Sequence, residues 1–104
     1  MEEEQPIQAL TDETVLALSL ARPSLYQTII DRYEAAFLRR ARKIIGPREE
    51  AQDIVVETFT KIYFHADKFQ FQPGASFRSW AYKILFNTSL SYYRQLKRRE
   101  ARQM

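Results

Sequence analysis

Between the turn signals Gly46-Pro47 and Gln72-Pro73-Gly74, residues Ala51, Ile54, Val55, Thr58, Phe59, Ile62 and Tyr63 recur at i, i+3, i+4, i+7, i+8, i+11 and i+12. A helix of 3.6 residues per turn gathers such a series onto one face, whereas a strand would scatter it over two. The segment of about 48–65 is therefore a helix that must bury one flank against its neighbours. Leu25, Ile29, Ile30, Tyr33, Phe37, Leu38, Ala41, Ile44 and Ile45 carry the same period over about 24–45. Gly46 suits a left-handed cap there, and Pro47 cannot continue the helix. A third stripe, Phe77, Trp80, Ala81, Ile84, Leu85, Thr88 and Tyr92, follows a Ser76 cap and extends to about residue 99. Thr11, ahead of Asp12 and Glu13, caps a shorter helix that ends near residue 20, before Arg22-Pro23-Ser24.

The chain has only two glycines and four prolines, and no alternating β-branched runs between turn clusters. The expectation is all-α: a compact bundle of three long helices plus a short N-terminal one. A length of 104 residues allows one modest core and not two. Residues 1–10 read as a flexible acidic tail, 11–100 as the domain, and 101–104 as a tail or the start of a linker. Without cysteine, neither a disulfide framework nor a thiolate metal site can form. No stretch approaches the roughly 20 apolar residues of a membrane span. Met1-Glu2-Glu3-Glu4 is acidic where a secretory signal would be basic. A cytoplasmic protein with no membrane partner is expected.

Net charge is only +3, but its distribution is uneven. From Phe77 onward Arg78, Lys83, Arg94, Lys97, Arg98, Arg99 and Arg102 face a single acid, Glu100, while the first thirteen residues hold five acids and no base. The positive field therefore gathers at the C-terminal end, which favours a phosphate backbone or, more simply, complements the dipole of a helix end. Two surfaces remain once the core is assigned. Opposite the stripe of the 48–65 helix lie Asp53, Val56, Glu57, Thr60 and Phe64, an acidic–apolar strip of the kind that suits protein recognition. It could equally be plain helix surface, with Glu57 pairing Lys61 at i+4. On the last helix Tyr82, Phe86, Leu90 and Tyr93 fall roughly opposite its core face, with Lys83, Asn87 and Arg94 along one edge. Aromatic rings stack on unpaired bases, cations hold phosphates, and asparagine can contact adenine through two bonds. Some rings, Tyr82 or Phe86 first, could instead pack on the N-terminal helix.

Catalysis finds little support. His65 is the sole histidine, at a helix end beside Asp67, and lacks companion ligands. Asp53 and Glu57 have nothing around them that predicts burial. No glycine loop for phosphates exists. No enzyme activity, cofactor or metal is expected.

Two motifs give these surfaces a family. Ala51-Gln52-Asp53-Ile54-Val55-Val56-Glu57-Thr58-Phe59 resembles the pattern Ala-Glu-Asp-hydrophobic-hydrophobic-Gln-Glu-Thr-Phe of region 2 of bacterial sigma factors. Ser76-Phe77-Arg78-Ser79-Trp80-Ala81-Tyr82-Lys83-Ile84-Leu85-Phe86-Asn87 resembles the later Ser-Phe-Arg-x-Trp-hydrophobic-Tyr-Arg-Ile-x-x-Asn of the extracytoplasmic-function (ECF) group, with a family-like arginine at Arg94. The resemblance covers about residues 10–100. It implies that Asp53, Val56, Glu57 and Thr60 dock on the clamp helices of the RNA polymerase β′ subunit. It also implies that the loop of about 67–75 receives a base flipped from the promoter −10 element. Phe77, Arg78, Trp80, Lys83 and Asn87 would face the non-template strand, with Arg94 and Lys97 on phosphates, and an anti-sigma factor would be a further partner.

Departures from the pattern bear on these roles. Val56 stands for the usual glutamine and Gln52 for the usual acid, which alters the polymerase contact. Ala81 follows Trp80 where housekeeping sigma factors carry a second aromatic, consistent with weaker melting and stricter promoter choice. The domain that reads the −35 element lies outside the chain. Both a fragment and a natural single-domain protein stay open, the untagged Met1 favouring a natural start. The alternative function is a protein-only decoy that binds polymerase or an anti-sigma factor without promoter recognition. A duplex-reading helix–turn–helix fits less well, because Gly46-Pro47 joins helices of about five turns each.

Overall fold

A computed structural model describes residues 5–69, 74 and 76–103. Among these every regular element is helical: α1 (Asp12–Ala21), α2 (Tyr26–Ile45), α3 (Glu50–Phe64) and α4 (Phe77–Arg102), with 3-10 turns at Ile7–Ala9, Pro23–Leu25 and Ala66–Lys68. None of these helices is long and apolar enough to cross a membrane.

The helix ends follow from local chemistry. Thr11 Oγ1 accepts the Thr14 N–H at 3.2 Å, and Ser76 Oγ accepts the Ser79 N–H at 3.2 Å. Pro23 opens a 3-10 turn that feeds directly into α2, so the α-helix begins two residues later than the periodicity predicts. Gly46 ends α2 at φ +90°, donating its N–H to Arg42 O. The Arg48 N–H turns back onto Gly46 O, which delays α3 to Glu50. At the other end α4 outruns the expected residue 99 and reaches Arg102.

The three long helices pack on one another around Phe37, which is fully buried and meets the rings of Tyr33 (5.3 Å), Phe59 (5.1 Å) and Tyr82 (5.1 Å). The buried stripes are Tyr26, Ile29, Tyr33, Phe37, Ala41 and Ile45 on α2, and Ala51, Ile54, Val55, Thr58, Phe59 and Ile62 on α3. Buried hydroxyls are satisfied: Thr58 donates to Ile54 O, Ser89 to Leu85 O, and Thr88 accepts from Lys61 Nζ at 3.1 Å. These short polar side chains let α3 and α4 approach with their own hydroxyls paired, while Glu50 Oε2, buried without a hydrogen bond, has Arg99 Nη2 of α4 at 4.0 Å.

Within the stretch read as a loose tail, residues 7–10 are held on the bundle. Ile7 and Leu10 pack on the core, and Ile7 O accepts a hydrogen bond from Arg32 Nη2 at 2.9 Å. Arg32 also pairs with Asp12 at 2.9 Å, whose other oxygen accepts the Tyr33 hydroxyl. An arginine reaching from α2 thus ties down a segment whose own sequence carries no helical period. Glu13 makes the longest reach, accepting the Phe77 N–H at 2.9 Å and so bonding α1 to the first residue of α4.

Candidate functional site

On α3, Asp53, Val56 and Thr60 are exposed and Glu57 is half-buried. Val56 retains 66% of its surface and Phe64 74%, high values for large apolar side chains. Thr60 turns its hydroxyl onto Val56 O at 2.9 Å, leaving the strip's outward chemistry to the two carboxylates and the apolar pair. Lys61 does not pair with Glu57, because its ammonium reaches the Thr88 hydroxyl instead. Among the described residues no ion pair involves Asp53 or Glu57. The Tyr92 hydroxyl of α4 is pushed above its ordinary pKa by burial, then by Glu57 and Asp53, so the strip's charge reaches across to the next helix.

Val56, Thr60 and Phe64 of the strip line one wall of a groove of about 700 Å³ between α2 and α3, and Asp53 and Glu57 stand outside it. Sequence reasoning missed the other wall, formed by Ile30, Glu34 and Leu38. Ile30 and Leu38 belong to the apolar stripe of α2 but are only half-buried. The available signal was the width of that stripe, which exceeds what one neighbouring helix can cover.

On α4, Lys83, Asn87 and Arg94 are exposed, and among the described residues neither cation has an ion-pair partner. Lys97 is exposed and lies 3.7 Å from Glu100 and 5.5 Å over the Tyr93 ring. Glu100 is held chiefly by Arg48 at 2.8 Å, a hydrogen bond that lowers the pKa of its carboxyl. Arg78 is exposed and stands 5.0 Å over the Tyr82 ring. Trp80 is half-buried, 5.1 Å from Phe69 and 6.1 Å from Phe77.

Phe77 corrects the role that the resemblance implied and keeps the place that the helical period gave it: it is fully buried, with its ring 5.4 Å from Tyr33 and 6.4 Å from Phe69. As the first residue of α4 it points inward, toward α2, and supports Trp80 from beneath rather than meeting a strand. Tyr82 also departs from expectation: it packs on Tyr33 and Phe37 of α2, not on the N-terminal helix. The flipped-base loop of about 67–75 falls mostly on residues 70–73 and 75, outside the described residues; Gly74, at φ +85°, is described. His65 is exposed at the end of α3, and the described residues hold no group of three or more His, Cys, Asp or Glu suited to a metal.

Two surfaces of opposite character thus stand on one small bundle, an acidic–apolar groove at α2–α3 and a cationic edge on α4. Neither a search of curated proteins nor a search of solved structures found a match to the chain. The sequence-family model described as Sigma-70 region 2 matches residues 29–99, a span holding both motifs and all three long helices but for the first turn of α2 and the last residues of α4. That family comprises the sigma-factor domains associated with core RNA polymerase and promoter DNA, and it is not an enzyme family. With well over half of its length matched, the chain belongs to the sigma-70 region 2 family.

Proposed function

We propose that this chain is the region 2 module of an ECF-group sigma factor, acting in the cytoplasm with core RNA polymerase at promoter −10 elements. The β′ clamp helices dock on Asp53, Val56, Glu57 and Thr60. The melted non-template strand runs along the edge of α4, with Asn87 reading a base, Lys83, Arg94 and Lys97 on phosphates, and Arg78 and Trp80 at the upstream turn. Strand opening is driven by binding, since captured bases offset an unstacking cost of a few kcal/mol.

The observation that carries this reading is that the charges at the centre of each face have no ion-pair partner. Asp53 and Glu57 pair with no cation, and Lys83 and Arg94 pair with no acid, among the described residues. The test is co-elution with bacterial core polymerase on a sizing column. Asp53→Arg with Glu57→Arg should abolish co-elution and leave the melting temperature nearly unchanged. A large loss of stability would mean that this face is structural and the docking assignment wrong.

Val56, exposed where the family-like pattern has glutamine, also favours a second reading. A protein-only decoy would use the same groove and bind no promoter strand. Salt-sensitive binding to single-stranded −10 DNA separates the two.

A further inference from the structure

Past Leu96 the last helix buries no further apolar side chain among the described residues, and what it lays against the start of α3 is a cavity of about 320 Å³. Tyr92, Leu96, Arg99 and Arg102 line it from one face of α4, at i, i+4, i+7 and i+10, with Arg98 beside them. Glu50, the first residue of α3, lines it from the other side. Three guanidiniums thus meet one carboxylate, a surplus of two positive charges. Glu50 Oε2 is buried and accepts no hydrogen bond, because Arg99 Nη2 stops at 4.0 Å. Among the described residues Arg98 and Arg102 have no carboxylate within ion-pair reach. Glu100, the one acid of α4, is committed to Arg48 at 2.8 Å, with Lys97 at 3.7 Å. The start of α3 is not what draws an anion here: the N–H groups of Ala51 and Gln52 already bond Arg48 O and Glu49 O.

We propose that this cavity binds a nucleoside phosphate. Guanidinium forks match phosphate oxygens in pairs, so Arg98, Arg99 and Arg102 take the phosphate. The buried Glu50 oxygen can only accept, and leaving it unmet costs free energy. A ribose hydroxyl supplies the missing donor, whereas the oxygens of a bare phosphate would face the carboxylate with like charge. Leu96 and the half-buried Tyr92 ring give an apolar floor for the base. The volume lies at the low end of small-ligand pockets, which suits one nucleotide and not a polymer. A ligand there would pin the last turns of α4 to α3, which past Leu96 only charge pairs hold. The inference stands apart from the promoter reading, since none of these residues belongs to the docking strip or to the strand edge.

The test is isothermal titration calorimetry of the full chain at low salt with AMP, ribose 5-phosphate, adenosine and inorganic phosphate, and with a short mixed-sequence single-stranded DNA. AMP should bind at one site, ribose 5-phosphate and phosphate progressively more weakly, and adenosine not measurably. Arg98→Gln/Arg102→Gln should weaken AMP at least about tenfold, the worth of a hydrogen bond to a charged group. Glu50→Gln removes both a charged acceptor and a repulsion toward phosphate. The ratio of AMP to phosphate affinity cancels the repulsion, and it should fall about fivefold. Circular dichroism melts check the fold, and Arg98→Lys/Arg102→Lys, which keeps the charge and loses the fork, serves if the glutamine pair melts early; it too should weaken AMP.

Equal affinity of the wild type for AMP and phosphate would reduce the cavity to a bare anion site and overturn the nucleotide assignment. AMP binding that neither the arginine variants nor Glu50→Gln changes would place the ligand elsewhere and overturn the site. No AMP binding by the wild type would overturn the proposal outright. DNA binding weakened by Arg98→Gln/Arg102→Gln would in that case assign these arginines to a phosphate backbone. Polymerase co-elution bears on the promoter reading alone, so the two can fail separately.

Discussion

Glu13 provides a graded test of how the start of α4 is held. Its carboxylate accepts the N–H of Phe77, the first residue of α4, from a position 64 residues earlier in the chain. That N–H is one of the orphan donors of a helix start and lies at the positive end of the helix dipole. A hydrogen bond to a charged group contributes about 1.5–3 kcal/mol, and half-exposure of Glu13 places it in the lower half, at about 2 kcal/mol. Glu13→Ala should therefore cost about 2 kcal/mol, roughly a 10 °C drop in melting temperature for a domain of this size. Glu13→Gln keeps a carbonyl acceptor but not the charge, and charge-assisted bonds are about twice as strong as neutral ones, so it should cost about 1 kcal/mol. Ser76→Ala, which removes the local cap on Ser79, gives an internal standard of about 1 kcal/mol. Urea unfolding followed by far-UV circular dichroism supplies the values. If both Glu13 variants fall within about 0.5 kcal/mol of wild type, the bridge from α1 to α4 is not made in solution. If glutamine costs as much as alanine, charge at the helix start is not its basis.

Other expectations follow from the same contacts. The Tyr26 and Tyr33 hydroxyls are both raised above their ordinary pKa, chiefly by burial, so the folded state holds two protons that the unfolded chain releases near pH 10. Stability should be intact below about pH 10 and fall as pH rises above it, and Tyr26→Phe or Tyr33→Phe should flatten that fall in alkaline melting curves. Phe77→Ala should cost about 3–5 kcal/mol as a cavity mutation, and a DNA-binding loss out of proportion to unfolding would restore Phe77 to the DNA side. Gly46→Ala should cost about 1–3 kcal/mol from backbone strain alone, because φ +90° with ψ 178° is open essentially to glycine and the added methyl would meet only Arg48 Nε at 4.0 Å; thermal melting checks this. Asn87→Ala should weaken binding to single-stranded −10 DNA in an anisotropy titration and leave polymerase co-elution unchanged; equal strand affinity would remove Asn87 from the readout.

Much of the candidate site was legible because it lies on single helices. Asp53, Val56, Glu57 and Thr60 fall together by helical period alone, and so do Lys83, Asn87 and Arg94; the structure leaves all of them at least half-open, as the wheel requires. The helical period put Phe77 on the core face and the family resemblance put it on the DNA side; the first turn of α4 passes over Tyr33, and the ring is buried there. Tyr82 was assigned to the outer face of α4 for want of knowing that α2 runs alongside it. Ile30, Glu34 and Leu38 were overlooked as a groove wall because a stripe in one helix does not say how much of it the next helix covers.

Four helices, the Thr11 and Ser76 caps, the Gly46-Pro47 stop, the stripes that face inward and the charges left outside are all legible along the chain. These depend on neighbours within about one turn, where spacing and side-chain chemistry fix the answer. Which flanks of those helices meet emerges only in the folded bundle: Glu13 bonds the start of α4, Arg32 ties down Ile7, and Arg40 and Arg78 share the ring of Tyr82. Such pairings depend on how the helices are set against one another in space, which packing of the whole core sets and no local spacing encodes.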